Sequence, residues 1–159
     1  MKKVIIVFCL LALLSTSFAF AQNERQGTII ATFGVGGGVG TIVETTSQFS
    51  FLFDINFIHQ TGFTLCLTNI VSTRSGSLGP SQNLMFGFGY YYLRDIWNIG
   101  GAIIAAPTSQ DLLLGVKING GYYFTNNIGV TGTLIYRQTV GIVSSLSMFD
   151  AFAGVSLRF

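Results

Sequence analysis

The chain has 159 residues, of which 50% are hydrophobic and only 9% are charged. Soluble domains carry about 25% charged residues, so this composition excludes an ordinary soluble surface. Membrane-spanning helices need about 20 consecutive apolar residues. Beyond the first two dozen positions, polar residues or glycines interrupt every apolar stretch. If the chain enters a membrane, it must therefore do so with β-strands.

The N-terminus has the three parts of a secretory signal peptide. Lys2 and Lys3 form a basic start, an apolar stretch follows, and a small-x-small cleavage site ends at Ala21. We expect residues 1–21 to be removed and residues 22–159 to form one domain. Loss of the two lysines leaves six basic and six acidic residues. A neutral chain gives no indication of a nucleic-acid partner.

From position 27 onward, apolar residues occupy alternate positions, which is the period of a β-strand with two different faces. In the second segment Phe49, Phe51 and Phe53 share one face, while Ser50 and Asp54 share the other. Most segments have the roughly nine to eleven residues that a tilted membrane strand requires. The eight predicted segments are 27–36, 49–58, 63–72, 84–92, 97–106, 112–124, 128–137 and 148–159.

The gaps between these segments alternate in length. Short periplasmic turns that alternate with longer external loops are typical of outer-membrane barrels. The sequence therefore predicts an all-β fold, an eight-stranded antiparallel up-and-down transmembrane β-barrel after a cleaved signal peptide. The long gaps are 37–48, 73–83 and 138–147, the gap 107–111 is of moderate length, and the short ones are 59–62, 93–96 and 125–127.

Charged residues within the segments avoid the more apolar face. If that face meets lipid, all five charges fall on the opposite face, towards the lumen. A basic side chain on the lipid face at mid-bilayer costs about 2–4 kcal/mol, which explains the bias. Buried charges need partners, so we expect ion pairs that plug the lumen; a selective aqueous path is the alternative. The predicted lumen charges are Asp54, Lys117, Arg137, Asp150 and Arg158.

A soluble lipocalin-like barrel, with its aromatic face turned inward, is the main structural alternative. Eight strands leave a lumen just wide enough for side chains, and the rows of phenylalanines would overfill it. The outer surface of such a barrel would also hold only five charges. The membrane barrel is therefore favoured.

The C-terminus and the layout of the segments resemble the small outer-membrane barrels of the OmpA, OmpX and OmpW kind. Gly154, Leu157 and the terminal Phe159 match the signal that the outer-membrane assembly machinery reads, whereas Phe152 stands where a polar residue is usual. The resemblance covers the whole of residues 22–159. It implies insertion into outer-membrane lipid by that machinery, with both termini in the periplasm and four loops outside.

The chain offers little material for catalysis. Its one histidine, His59, falls in a predicted periplasmic turn, whereas enzymes of this architecture resemble one another in using a histidine near the outer rim. A general base must reach its substrate, so we expect no enzymatic activity. Cys66, His59 and scattered carboxylates give no metal-ligand spacing, and we expect no metal and no cofactor. The glycine-rich run 34–40 lacks the lysine of a phosphate-binding loop. We interpret it as a strand end that flexes into an exposed loop.

Lumen-facing residues differ between the two ends of the predicted barrel. They are mostly polar towards the periplasm and mostly apolar towards the outside. Pockets for small molecules are concave and mainly apolar, and an apolar outer half resembles the OmpW arrangement. The leading hypothesis is a nonenzymatic barrel that binds or passes small hydrophobic molecules; the alternative is that these residues simply pack as a small core. The predicted apolar pocket comprises Leu52, Ile70, Met85, Ile104, Leu113, Ile135, Met148 and Phe152.

A second functional hypothesis is a structural barrel or surface adhesin of the OmpX kind. Its external loops would contact host or matrix molecules. Their clear charges are few, namely Glu44 and Arg74, with Asp111 at the rim. The sequence does not decide between the two functions.

Overall fold

The computed structural model describes residues 27–41, 45–74, 81–107, 112–140 and 147–159. Each strand is antiparallel to its neighbours in chain order, and pairing of the first strand with the last closes an up-and-down barrel. Among the described residues, no helix is long and apolar enough to span a bilayer. The predicted signal peptide lies outside the described residues. The strands are β1 (Thr28–Thr41), β2 (Thr45–Ile58), β3 (Phe63–Arg74), β4 (Ser81–Leu93), β5 (Trp97–Pro107), β6 (Leu112–Tyr123), β7 (Ile128–Val140) and β8 (Ser147–Arg158).

The two ends of the barrel differ in what they carry. The proximal end holds the start of β1, the C-terminal Phe159 and the connections 59–62, 94–96 and 124–127. The distal end holds the other ends of the strands. At the proximal connection 59–62, Gly62 adopts a φ of +89°, and its N–H donates to the carbonyl of His59 at 2.8 Å. Glycine enters this backbone region without a steric penalty, so a tight turn forms here.

The strands extend further towards the distal end than the sequence predicted. β1 and β2 remain in register up to Thr41 and Thr45, and β4 begins at Ser81. Nine of the twelve residues of the predicted loop 37–48 are therefore in strands, as are residues 73–74 and 81–83 of the predicted loop 73–83. The loop interpretation of the glycine-rich run 34–40 is wrong. This run has partners on both sides, in β2 and β8, so its backbone groups are satisfied by the ladder even without side chains.

The strands cross the barrel wall at a steep tilt. Directly paired residues, followed once around the barrel from Tyr91 on β4, return to the same strand at Ser81, ten residues away. A stagger of this size in eight strands corresponds to a tilt of about 35–45° and a lumen just wide enough for side chains. Residues on opposite walls can therefore contact one another.

The outside of the barrel is apolar all the way round. Soluble proteins rarely expose contiguous apolar patches larger than a few hundred Å², whereas here every strand presents large hydrophobic side chains outward. Such a wall suits lipid. Aromatic side chains ring the proximal end, as expected where a barrel meets a membrane interface. The exposed members of this ring are Phe57, Phe63, Tyr90, Tyr92, Trp97, Tyr122, Phe124 and Phe159.

Candidate functional site

A buried ion pair crosses the lumen from wall to wall. Lys117 on β6 and Asp54 on β2 lie four strands apart, and both side chains are fully buried. The lysine Nζ donates to Asp54 Oδ1 at 2.7 Å and Oδ2 at 2.9 Å, and to Asn56 Oδ1 at 2.9 Å. Asn56 and Thr68 also donate to the aspartate, each at 2.6 Å. Both charges are thus paired and hydrogen-bonded, as burial requires.

A second buried pair lies between neighbouring strands. Arg137 on β7 donates from Nε at 3.0 Å and from Nη2 at 2.6 Å to Oδ2 of Asp150 on β8. Asp150 Oδ1 accepts a hydrogen bond of 2.8 Å from Gln48 on β2, so the contact reaches across β1. Gly38 of β1 is in register with both Gln48 and Asp150, and a Cβ there would collide with Asp150 Oδ1. The glycine therefore leaves the space through which β2 and β8 meet.

A buried apolar cluster fills the lumen beside these pairs. Seven of the eight residues predicted to line an apolar pocket belong to it, and the eighth, Met148, is also buried. The side chains contact one another, which is the packed core that the sequence left open as the alternative. Small-molecule binding here stays a prediction. The cluster comprises Leu52, Cys66, Ile70, Met85, Ala102, Ile104, Ala106, Leu113, Ile135 and Phe152.

The proximal end of the lumen is closed by a second apolar and aromatic cluster. It consists of Ile30, Ile58, Tyr91 and Tyr123, with Leu93 packed against it. The sequence predicted mostly polar lumen-facing residues at this end, and polar side chains such as Asn98 and Asn119 are buried here. Alternation also turns the aromatic side chains of Tyr91 and Tyr123 inward, where each is almost fully buried. The distal half of the lumen likewise contains both apolar and charged side chains, since the Arg137–Asp150 pair is buried there beside the apolar cluster.

Arg158 bridges the proximal mouth. Its Nη1 and Nη2 donate to the carbonyls of Arg94 and Asp95 at 3.0 and 2.8 Å, and its Nε donates to the carbonyl of Asn126 at 3.0 Å. The guanidinium carbon lies 4.4 Å from the centre of the Tyr123 ring. The connection after β4 lies across the barrel from β8. Arg158 thus binds backbone carbonyls at the mouth, and the pairing with a lumen aspartate that the sequence suggested for it is taken by Lys117 and Arg137.

The remaining sequence-predicted residues lie at the edges of the barrel. His59 is in the proximal connection between β2 and β3, where its Nδ1 lies 3.0 Å from Thr61 Oγ1. Within the ranges that the structure describes, no group of three or more His, Cys, Asp or Glu residues could hold a metal ion. Glu44 and Asp111 lie outside the described residues, and Arg74 is the last residue of β3.

The predicted assembly signal is part of the barrel wall. Gly154 and Leu157 lie on β8. Phe159 follows that strand and exchanges two backbone hydrogen bonds with Ile29 of β1, at 2.9 and 3.1 Å. A Cβ at Gly154 would collide with the backbone of β1, at Phe33 and Gly34. The signal residues are therefore also the residues that close β8 onto β1.

Sequence reasoning missed several partners of the buried charges. Asn56 lies two residues from Asp54 on the same inward face of β2, and Thr68 faces inward on the neighbouring strand β3. The alternation of inward and outward positions, here called parity, could therefore have grouped both residues with Asp54. Gln48 was missed because the second predicted segment starts at Phe49, whereas β2 begins four residues earlier, at Thr45. The role of Gly38 depends on register between three strands, and no local signal reports it.

These features define a class: a closed eight-stranded barrel with an apolar outside and a filled, charge-paired inside is a small transmembrane β-barrel. The solved structures that share this fold include two bacterial proteins. Neisserial surface protein A superposes with a TM-score of 0.66 at 12% identity, covering 84% of this chain and 100% of that one. Ail, the attachment invasion locus protein of Yersinia pestis, gives a TM-score of 0.62 at 9% identity, covering 85% and 100%. No family model matches the chain, and a search of curated proteins finds no match either. The chain therefore has the fold of the small outer-membrane β-barrels.

Proposed function

We propose that the protein is a nonenzymatic integral protein of the outer membrane, a closed scaffold that acts through its distal surface on molecules outside the cell. The supporting observation is the Lys117–Asp54 pair, which joins opposite walls of a lumen already filled by apolar side chains. Conduction needs a continuous polar path. A crossed and packed lumen favours function at the outer surfaces over passage of solutes.

Export and insertion form part of this proposal. The signal peptide at residues 1–21 directs the chain to the periplasm, and the assembly machinery reads Gly154, Leu157 and Phe159. Both termini then lie at the proximal end, which faces the periplasm. The aromatic ring at that end lies at the inner membrane interface, and outer-membrane lipid surrounds the wall.

The test is replacement of the distal connections 42–44, 75–80, 108–111 and 141–146 by glycine-serine segments of equal length. Bacteria that produce the chain should adhere to host cells or immobilised matrix proteins, and the replacement should abolish adhesion. Heat-modifiable gel migration serves as the control, because it reports an intact barrel. Adhesion that persists after all four replacements would contradict the proposal.

Binding of small hydrophobic molecules in the distal half is a second candidate. It is favoured by the apolar cluster and by Met85 and Met148, because unbranched methionine side chains can adapt to a guest. A fluorescent apolar probe should bind the folded barrel and be displaced in Ile104→Asp or Leu113→Asp. Ile103→Ala, on the outer wall beside Ile104, is the control. Equal probe fluorescence in all variants would count against a lumen site.

A further inference from the structure

The outer wall carries a depression, the wall trough, in an otherwise bulky surface. Gly120 on β6, Gly132 on β7 and Ala153 on β8 are neighbours in register. They form the floor of a trough of about 660 Å³. An adjoining depression of about 430 Å³ on the β1–β3 side shares Ala153 with it. The low part of the wall therefore extends across several strands.

The two floor glycines are not required by packing. A Cβ at Gly120 would come no closer than 3.7 Å to another atom, and one at Gly132 no closer than 4.0 Å. By contrast, a Cβ at the inward Gly38 or Gly154 would collide with neighbouring atoms. The inward glycines make room for the barrel's own chain, whereas the outward ones leave open space on the membrane side.

The sides of the trough are apolar, and its proximal rim is aromatic. Ile99 and Val130 flank the floor and are 53% and 51% exposed. Trp97 and Tyr122 lie at the proximal rim. Tryptophan and tyrosine favour the level where acyl chains meet headgroups. A chain in the trough would therefore end at this rim, next to the headgroup region.

An arginine lies one aromatic ring away from the rim residue Trp97. The Tyr92 and Trp97 rings are 5.5 Å apart, and the guanidinium carbon of Arg94 lies 5.1 Å from the centre of the Tyr92 ring. The backbone N–H of Arg94 also donates to the backbone carbonyl of Trp97 at 2.8 Å. Among the described residues, the Arg94 guanidinium has no hydrogen-bond acceptor and no ion pair, not even with the adjacent Asp95. Its donors thus remain free for a ligand.

We propose that the wall trough and Arg94 together hold one phospholipid of the periplasmic leaflet, with an acyl chain in the trough and the phosphate on Arg94. The inference rests on the proposed membrane placement. The wall already faces lipid, an acyl chain gains more contacts in a depression than on a smooth wall, and arginine binds phosphate through charge-assisted hydrogen bonds. The free positive charge at the headgroup level selects a phosphate-bearing lipid over a neutral one.

The experiment compares two lipids with identical acyl chains, phosphatidylglycerol and diacylglycerol, which lacks the phosphate. The full chain is exported, extracted in detergent and delipidated, and each lipid is then added back and counted by native mass spectrometry. Wild type should retain one phosphatidylglycerol per barrel and little diacylglycerol. Gly132→Leu should lose both lipids, because the side chain fills the trough. Arg94→Gln should lower phosphatidylglycerol retention roughly tenfold, to the level of diacylglycerol, through loss of one charge-assisted contact.

Asp95→Asn is the matched control for Arg94→Gln, and it should retain the lipid as wild type does. Unchanged retention in Gly132→Leu would overturn the proposal. So would a two-chain species that disappears in Gly132→Leu, since a second copy would then occupy the trough. Heat-modifiable migration separates this failure from that of the proposed function, because a chain that never forms a membrane barrel fails both.

Discussion

The two buried ion pairs differ in what they add to the barrel. Arg137 and Asp150 lie on β7 and β8, which the backbone ladder already joins, so this pair mainly neutralises two inward charges. Lys117 and Asp54 lie on β6 and β2, which share no backbone hydrogen bonds. Only the Lys117–Asp54 pair connects strands on opposite sides of the barrel that are not hydrogen-bonded to each other in the sheet. The structural contribution of a salt bridge in a barrel thus depends more on which strands it connects than on the distance between its two charged groups.

Burial alone does not make either pair stabilising. Replacing a buried ion pair by well-packed apolar residues is often neutral, whereas removing one partner leaves an uncompensated charge. Single and double substitutions therefore measure different quantities.

The largest effect is expected for Lys117→Met. Asp54 would lose its cation and keep only Asn56 and Thr68 as donors. We expect the free energy of unfolding, measured by urea titration in lipid vesicles, to fall by about 3–5 kcal/mol. The double variant Lys117→Met/Asp54→Leu should recover most of this loss. A single variant as stable as wild type would show that the pair contributes nothing to closure.

Arg137→Met should cost less, about 2–3 kcal/mol in the same titration. Asp150 would retain its hydrogen bond from Gln48, and the ladder would still hold β7 to β8. In addition, Arg137 Nη1 is buried and has no hydrogen-bond partner among the described residues, so its removal deletes one unsatisfied group. A larger loss than for Lys117→Met would reverse the ranking of the two pairs.

Gly38→Ala tests how the Arg137–Asp150 pair reaches β2. The new Cβ would meet Asp150 Oδ1 and the backbone of Phe149, and the hydrogen bond from Gln48 would be displaced. Overpacking of this kind costs about 1–3 kcal/mol. Gly40→Ala is the matched control two residues along, because its Cβ would lie 3.4 Å from the flexible Met148 side chain. Equal free energies of unfolding for the two variants would mean that the β1 backbone can shift at Gly38 and make room for the new Cβ without cost.

The fold was predictable because a β-barrel in lipid places a simple constraint on its sequence. Outward residues must be apolar, so alternation in segments such as that of Phe49, Phe51 and Phe53 reports strand and face together. The same rule put Asp54, Lys117, Arg137 and Asp150 on the inward face, and the structure buries all four. Strand ends were less predictable, because five of the seven residues 34–40 are glycines and give little side-chain alternation, although their backbone pairs fully.

Partner choice within the lumen was not predictable. Parity states that Lys117 and Asp54 face inward, but their contact depends on the stagger that brings opposite walls together. The position of Arg158 shows the same limit. Its parity is that of a lumen residue, yet at the last position of β8 its side chain reaches the mouth and finds three carbonyls instead of a carboxylate.

The smallest effect is expected at that mouth. Arg158→Gln would remove hydrogen bonds to three carbonyls, but the site is partly exposed and water can replace the lost donors, so the free energy of unfolding should fall by only about 1 kcal/mol. Solute flux into vesicles should not rise, because the Lys117–Asp54 pair and the apolar cluster still close the lumen further in. Asp95→Asn is the control and should leave the stability unchanged, because it alters a side chain at the same mouth and keeps the Asp95 carbonyl that accepts from Arg158. Flux that appears in Arg158→Gln but not in Lys117→Met would place the closing contact of this barrel at its mouth instead of in its lumen.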